Sequence, residues 1–161
     1  MPKKIIIITL VILIFDQLSK ILISSNMDLG QSHMMINNFF YITYLHNYGA
    51  AWGIMQNQRI ILIVISLIAL VIMYRFMLNF KNNVRNMIAF GLLFGGILGN
   101  LIDRLLIGSV RDFIDFRIFG YHFPVFNISD MAIVCGVGLL IIAIIKGEDN
   151  ENNCRGKSNK A

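Results

Sequence analysis

Residues 5–23 read Ile5-Ile6-Ile7-Ile8-Thr9-Leu10-Val11-Ile12-Leu13-Ile14-Phe15-Asp16-Gln17-Leu18-Ser19-Lys20-Ile21-Leu22-Ile23, an apolar run with a carboxylate and an ammonium set one helical turn apart near its end. A bilayer core of about 30 Å needs roughly 20 such residues in a helix. Three further runs reach that length, at 60–78, 87–106 and 125–145. The first run follows Pro2-Lys3-Lys4 and has no small-residue cleavage site after it, so it reads as a retained span and not a signal peptide. The sequence therefore predicts an integral membrane protein, mainly α, built as a four-transmembrane-helix bundle.

Composition leaves few other choices. Of 161 residues 57% are hydrophobic and 14% charged, with a mean hydropathy of +0.69. A soluble domain carries about 25% charge, so a cytosolic enzyme, a disordered regulator and a secreted disulfide scaffold are excluded. The net charge of +5 sits at the ends of the apolar runs, not on one stripe, which argues against a nucleic-acid partner. Cys135 lies in an apolar run and Cys154 in a polar tail, so no disulfide is expected. Lys3, Lys4, Arg75, Lys81, Arg85, Lys146, Arg155, Lys157 and Lys160 fall on one side of the spans. Lys20, Arg59, Arg104, Arg111 and Arg117 fall on the other or in the outer helix parts, which orients both termini and the 79–86 loop to the cytoplasm. Residues 1–146 form one membrane domain, and 147–161 a polar, disordered cytoplasmic tail.

The outward segments differ from the short inner loop. Phe39-Phe40-Tyr41-Ile42-Thr43-Tyr44-Leu45 and Val110-Arg111-Asp112-Phe113-Ile114-Asp115-Phe116 are aromatic and β-branched between turn residues. Both read as strands, and they predict a small extracytoplasmic β-platform with an interfacial helix near 53–58. Gly91, Gly95 and Gly99 on the third span, and Ala132 with Gly136 on the fourth, recur every four residues, a spacing for close helix packing and not for chemistry. His33, His46 and His122 lack any metal-ligand spacing, so no metal is expected.

The acidic residues carry the functional signal. Glu148, Asp149 and Glu151 need only water, but Asp16, Asp103, Asp112, Asp115 and Asp130 lie within or beside spans, where an ionisable group marks a candidate site. Asp16 and Lys20 read as an intramembrane ion pair ahead of direct substrate contact. Asn100, Asp103 and Arg104 either anchor the third helix at the interface or hold a peptide backbone. Asp112 and Asp130 reach the same outer face, and two close carboxylates share a proton, the arrangement that activates water and polarises a carbonyl. Spacing alone leaves an aspartyl hydrolase and an ion or proton pathway open. Ser19 and Lys20, adjacent on a helix, do not face each other as a serine-lysine pair would.

Five blocks in order carry a resemblance: Phe15-Asp16-Gln17-Leu18-Ser19-Lys20, Asn47-Tyr48-Gly49-Ala50-Ala51-Trp52, Gly99-Asn100-Leu101-Ile102-Asp103-Arg104, Val110-Arg111-Asp112-Phe113-Ile114-Asp115-Phe116 and Phe123-Pro124-Val125-Phe126-Asn127-Ile128-Ser129-Asp130. Across about residues 10–145 the chain resembles the bacterial lipoprotein signal peptidases, or signal peptidase II. The resemblance implies a membrane aspartyl endopeptidase without cofactor. Its substrates are diacylglyceryl-prolipoprotein signal peptides, cut before the lipidated lipobox cysteine. It further implies a monomer among membrane lipid in the bacterial cell membrane, with its site near the outer face. By matching positions, Asp112 and Asp130 are catalytic, and Asn47, Gly49, Asn100, Asp103, Arg104 and Asn127 bind substrate or support the pair. Asp16 and Lys20 are structural, and Asp115 is a neighbour. The stretch Asn47–Trp52 is expected to act as a lid or interface anchor, with Trp52 as an anchor. A small transporter or proton conductor is the alternative. Two residues depart from the family pattern: Arg111, where an apolar residue is usual, and Ser129, where Ala is common. On a strand Arg111 points opposite Asp112, so its charge is expected to meet lipid headgroups. Ser129 is expected to add a hydroxyl near Asp130.

Overall fold

The computed structural model describes residues 2–50 and 54–149. Its elements in order are α1 (Pro2–Asn26), β1 (Ser32–Ile36), β2 (Phe40–Asn47), α2 (Arg59–Met77), α3 (Val84–Leu106), β3 (Val110–Ile118), β4 (Tyr121–His122) and α4 (Ile128–Ile145). All four helices are long and apolar enough to cross a membrane. In hydrocarbon each backbone N–H and C=O must be satisfied within its own segment, so even runs rich in β-branched Ile coil as helices.

The bundle is arranged around α3, which packs on α1, α2 and α4. Its small residues make this possible. A Cβ on Gly95 would lie 2.8 Å from Ile12 Cβ on α1, and one on Gly136 would lie 2.7 Å from Leu93 Cγ on α3. Phe80, Phe90, Leu93, Leu140 and Ala143 fill the core between the helices. By contrast α2 buries Leu62 and Met77 and exposes most of its Ile and Val side chains, as a helix facing lipid does.

Helix ends are fixed by side chains. The fourth helix starts at Ile128 and not at Val125, because Asn127 caps it: the Asn127 side chain accepts from Asp130 N at 3.0 Å, and the Asp130 carboxylate accepts from Asn127 N at 3.2 Å. Val125 and Phe126 stay extended, and Phe126 bridges to Ile114. At the other end of α3, Arg59 donates to Arg104 O at 2.7 Å and Leu105 O at 2.8 Å, filling carbonyls that a helix terminus leaves free. Glu148 does more than meet water. It accepts from Asn83 Nδ2 at 2.6 Å and Asn86 Nδ2 at 3.1 Å and pairs with Arg85, closing the α2–α3 connection onto the end of α4.

The strands form one antiparallel sheet in the order β1-β2-β3-β4. Its two central members are the expected strands, lengthened to Asn47 and Ile118, while β1 and β4 are additions. Between Ile42↔Ile114 and Leu45↔Asp112 the β2–β3 register shifts by one residue, a bulge that re-aims the end of β2 toward Asp112. The interfacial helix expected near 53–58 is absent from the described part, where residues 54–57 turn with φ of 58° at Met55 and 62° at Asn57. Trp52, Cys154 and the tail from residue 150 lie outside the described residues.

Candidate active site

The start of α4 meets α1, α3, β2 and β3, and nearly every polar residue singled out in the sequence is there. Asp112, on β3, is 2% exposed. Its Oδ2 accepts from Asn47 Nδ2 at 3.0 Å and its Oδ1 from Asn127 Nδ2 at 2.6 Å. Asp130, in the first turn of α4, accepts from Asn100 Nδ2 at 2.8 Å as well as from Asn127 N. Asn127 also donates to Asn100 Oδ1 at 3.2 Å, so two carboxamides hold the two carboxylates in one network. Burial pushes the Asp112 carboxyl up to about 7, helped by the charge of Asp130 and opposed by the hydrogen bonds from Asn47 and Asn127.

A cavity of about 510 Å³ opens onto this pair. Asn47, Asn100, Arg104, Asp112 and Asp130 form its polar wall. Phe123, Pro124, Val125 and Phe126, with Met131 and Val134 on α4, form its apolar wall. Arg104 Nη2 donates to Gly49 O at 3.0 Å, and Gly49 N donates to Asn47 Oδ1 at 2.9 Å, so the segment after β2 is tied to the cavity wall.

A second polar layer lies behind the first, and its Asp16, Lys20 and Asp103 are fully buried. Lys20 Nζ reaches Asp16 Oδ2 at 2.8 Å, Asn100 Oδ1 at 3.1 Å and Asp103 Oδ2 at 3.5 Å. Asp16 Oδ1 accepts from Ser129 N at 2.9 Å, taking up a free N–H at the start of α4. Asp103 is fully buried and does not line the cavity. The headgroup contact expected of Arg111 is not what the fold makes. Its side chain does point away from Asp112, but into the bundle, where it donates to Asp103 Oδ1 at 2.7 Å and Oδ2 at 3.1 Å and to Gln17 Oε1 at 3.1 Å. A guanidinium on the inner face of β3 is buried beside Asp103, a carboxylate that Lys20 and Gln17 also reach. Ser129 Oγ is buried without a hydrogen-bond partner, and it is the Ser129 backbone that joins the network, through Asp16.

Gln17 is the participant that the sequence did not single out. Its Nε2 donates to Gly99 O at 3.2 Å and Asp103 Oδ1 at 3.3 Å while its Oε1 receives Arg111. A carboxamide beside Asp16 within an apolar run was the available signal. Asp115 stays outside the site, bonded to Thr43 Oγ1 at 2.8 Å and Arg117 Nη2 at 3.0 Å. Among the described residues no group of three or more His, Cys, Asp or Glu side chains is placed to hold a metal ion.

A family profile described as signal peptidase (SPase) II matches residues 8–146. The chain belongs to the signal peptidase II family. A protein named "Lipoprotein signal peptidase" from Staphylococcus aureus is 43% identical over 149 residues, covering 92% of this chain and 91% of its own. Its counterpart from strain JH9 is 44% identical over 147 residues, covering 91% and 90%. A solved structure titled as a bacterial membrane enzyme, determined by the in meso method at 2.3 Å, superposes with a TM-score of 0.80 at 41% identity over 98% of this chain and 91% of that one. A second, at 1.9 Å, gives 0.78 at 43% identity over 88% and 92%. Signal peptidase II membership makes the chain an aspartic-type protease, and the transporter or proton-conductor reading is not favoured.

Proposed function

We propose that this chain removes signal peptides from diacylglyceryl-modified prolipoproteins, cutting before the lipidated cysteine, with Asp112 and Asp130 as the catalytic pair. The observation that carries this reading is the joint hold of Asn127 on both aspartates at the wall of a cavity that is polar on one side and apolar on the other. Such a cavity suits a peptide that arrives attached to acyl chains: the chains stay among apolar side chains while the scissile bond meets the carboxylates.

In this reading the ionised carboxylate takes a proton from water, whose oxygen attacks the scissile carbonyl carbon, while the protonated carboxylate donates to the carbonyl oxygen. Collapse of the tetrahedral intermediate breaks the C–N bond, and the proton first taken from water passes to the departing amine. Asn47, Asn100 and Asn127 hold the aspartates, and Arg104, with Gly49 behind it, faces the substrate. Asp103, Asp16 and Lys20 act from behind, as supports. Residues 1–146 work as one peptidase domain and a monomer, with both termini and the tail cytoplasmic and the site at the outer face.

The test is cleavage of a diacylglyceryl-modified prolipoprotein by the full chain reconstituted in lipid, with Asp112→Asn and Asp130→Asn variants that keep the wild-type elution profile. The wild type should release signal peptide, with EDTA present or not, and each variant should release none. A folded wild type without product overturns the function; a variant that still cuts removes that aspartate from the pair.

A further inference from the structure

The two hairpin turns of the sheet lie at the same end. Ile36 pairs with Phe40, Phe40 pairs with Phe116, and Arg117 N donates to Phe39 O at 2.9 Å. The turn at 37–39 therefore sits beside the strand end that leads into the turn at Phe119-Gly120. The sheet's opposite end is pinned to the bundle through Arg111 and Asp112.

The second turn of this free end is built unlike a turn that faces water, while the first carries the ordinary turn residues Asn37 and Asn38, with φ of 51° at Asn38. Residues 34–40 and 118–126 contain no Asp, Glu, Lys or Arg. Met35, Ile36, Phe39, Ile118 and Tyr121 are exposed, and Phe119 is as exposed as in an extended chain, at 105%. Phe119 and Gly120 have φ of 50° and 80° between paired Ile118 and Tyr121, a two-residue hairpin whose first position favours Asn, Asp or Gly. An aromatic there accepts backbone strain and gains no packing from its own chain, which points to a partner outside it. The partner's chemistry can be read from the surroundings. The hairpin continues through Phe123-Pro124-Val125 into α4, a helix long and apolar enough to cross a membrane, whose Met131 and Val134 are exposed. Behind the tip, the half-buried Arg117 guanidinium stacks on the Tyr41 ring at 3.7 Å. Aromatic and apolar side chains at the tip, with the Arg117–Asp115 ion pair set back from them, match the profile of a membrane interface.

We propose that the paired turns seat the sheet in the membrane: Phe119, with Met35, Ile36, Phe39, Ile118 and Tyr121, enters the lipid leaflet on the sheet's side of the bilayer. The seating keeps the Phe123–Val125 wall of the cavity at the level of the acyl chains.

The test reads position and does not depend on turnover. Trp52 is the sole native Trp, so in Phe119→Trp chains reconstituted in phosphatidylcholine vesicles the added emission reports the tip. It should be quenched when the acyl chains carry bromine and little affected by aqueous iodide. Quenching by iodide instead overturns the proposal, and quenching by neither overturns it in favour of a protein cover such as a second copy. A spin label at Met35→Cys, with Cys135 and Cys154 replaced by Ser, gives an independent reading. Broadening by oxygen should exceed broadening by a water-soluble nickel chelate, and the reverse order overturns the proposal.

Discussion

Lys20 donates to the Asn100 carboxamide oxygen at 3.1 Å, and the nitrogen of the same carboxamide donates to Asp130 at 2.8 Å. The ammonium thus fixes which end of Asn100 faces the carboxylate. Lys20→Met removes that restraint and leaves Asp16 without its cation, a loss that costs about 3–5 kcal/mol at buried pairs. In Lys20→Met/Asp16→Asn the charge is rebalanced, so thermal unfolding in detergent should recover toward wild type while cleavage stays low. Recovery of both would reduce Lys20 to a counter-charge.

The raised Asp112 carboxyl fixes a sign for pH. In the unfolded chain the group loses its proton near 4, and in the folded chain at about 7. The folded state therefore holds the extra proton, and the contribution to stability is complete below about 4 and lost as pH rises to about 7. Asp112→Asn should raise the melting temperature most above pH 7, with the difference closing toward pH 4. Cleavage by the wild type should fall above about pH 7 as the shared proton leaves. A variant that gains no stability at pH 8 would contradict the burial of the charge.

Asn127 caps α4 through its side-chain oxygen and reaches Asp112 through its nitrogen. Asn127→Ser keeps a capping oxygen and loses the carboxamide nitrogen, while Asn127→Ala loses both. The Ala variant should lose about 1 kcal/mol of stability relative to Ser. Both should lose most of their kcat with a smaller change in KM, because the carboxamide acts on the aspartates and not on the bound peptide. Full turnover in Asn127→Ser would leave Asn127 with the cap alone.

Arg111 and Asp103 share two side-chain hydrogen bonds in a buried setting. A double-mutant cycle with Arg111→Met and Asp103→Asn, read by thermal unfolding, should give a coupling of about 1–3 kcal/mol. Additive effects would mean that Lys20 and Gln17 alone satisfy Asp103.

Much of this protein was legible as a string because the membrane simplifies the code. Four apolar runs had to be helices, small residues at intervals of four had to be contacts, and carboxylates inside such runs had to be paired or functional. Asp16 and Lys20 were readable as partners because one helical turn separates them, and Asp112 and Asp130 were readable as a pair because both spans emerge on one face. Arg111 was misread for a physical reason: strand alternation says that it points away from Asp112, but not whether lipid or protein lies on that side. The fold puts α1 and α3 there, with Asp103 and Gln17.

The spans, the two strands between them and the identity of the candidate carboxylates follow from periods and residue types along the chain. Which groups meet across the chain depends on how its segments pack. The bulge in β2 brings Asn47 to Asp112, the cap at Asn127 joins both aspartates, and the crossing of α1 and α3 places Lys20 against Asn100. These contacts depend on distances between segments far apart in the chain, and no local pattern encodes such distances.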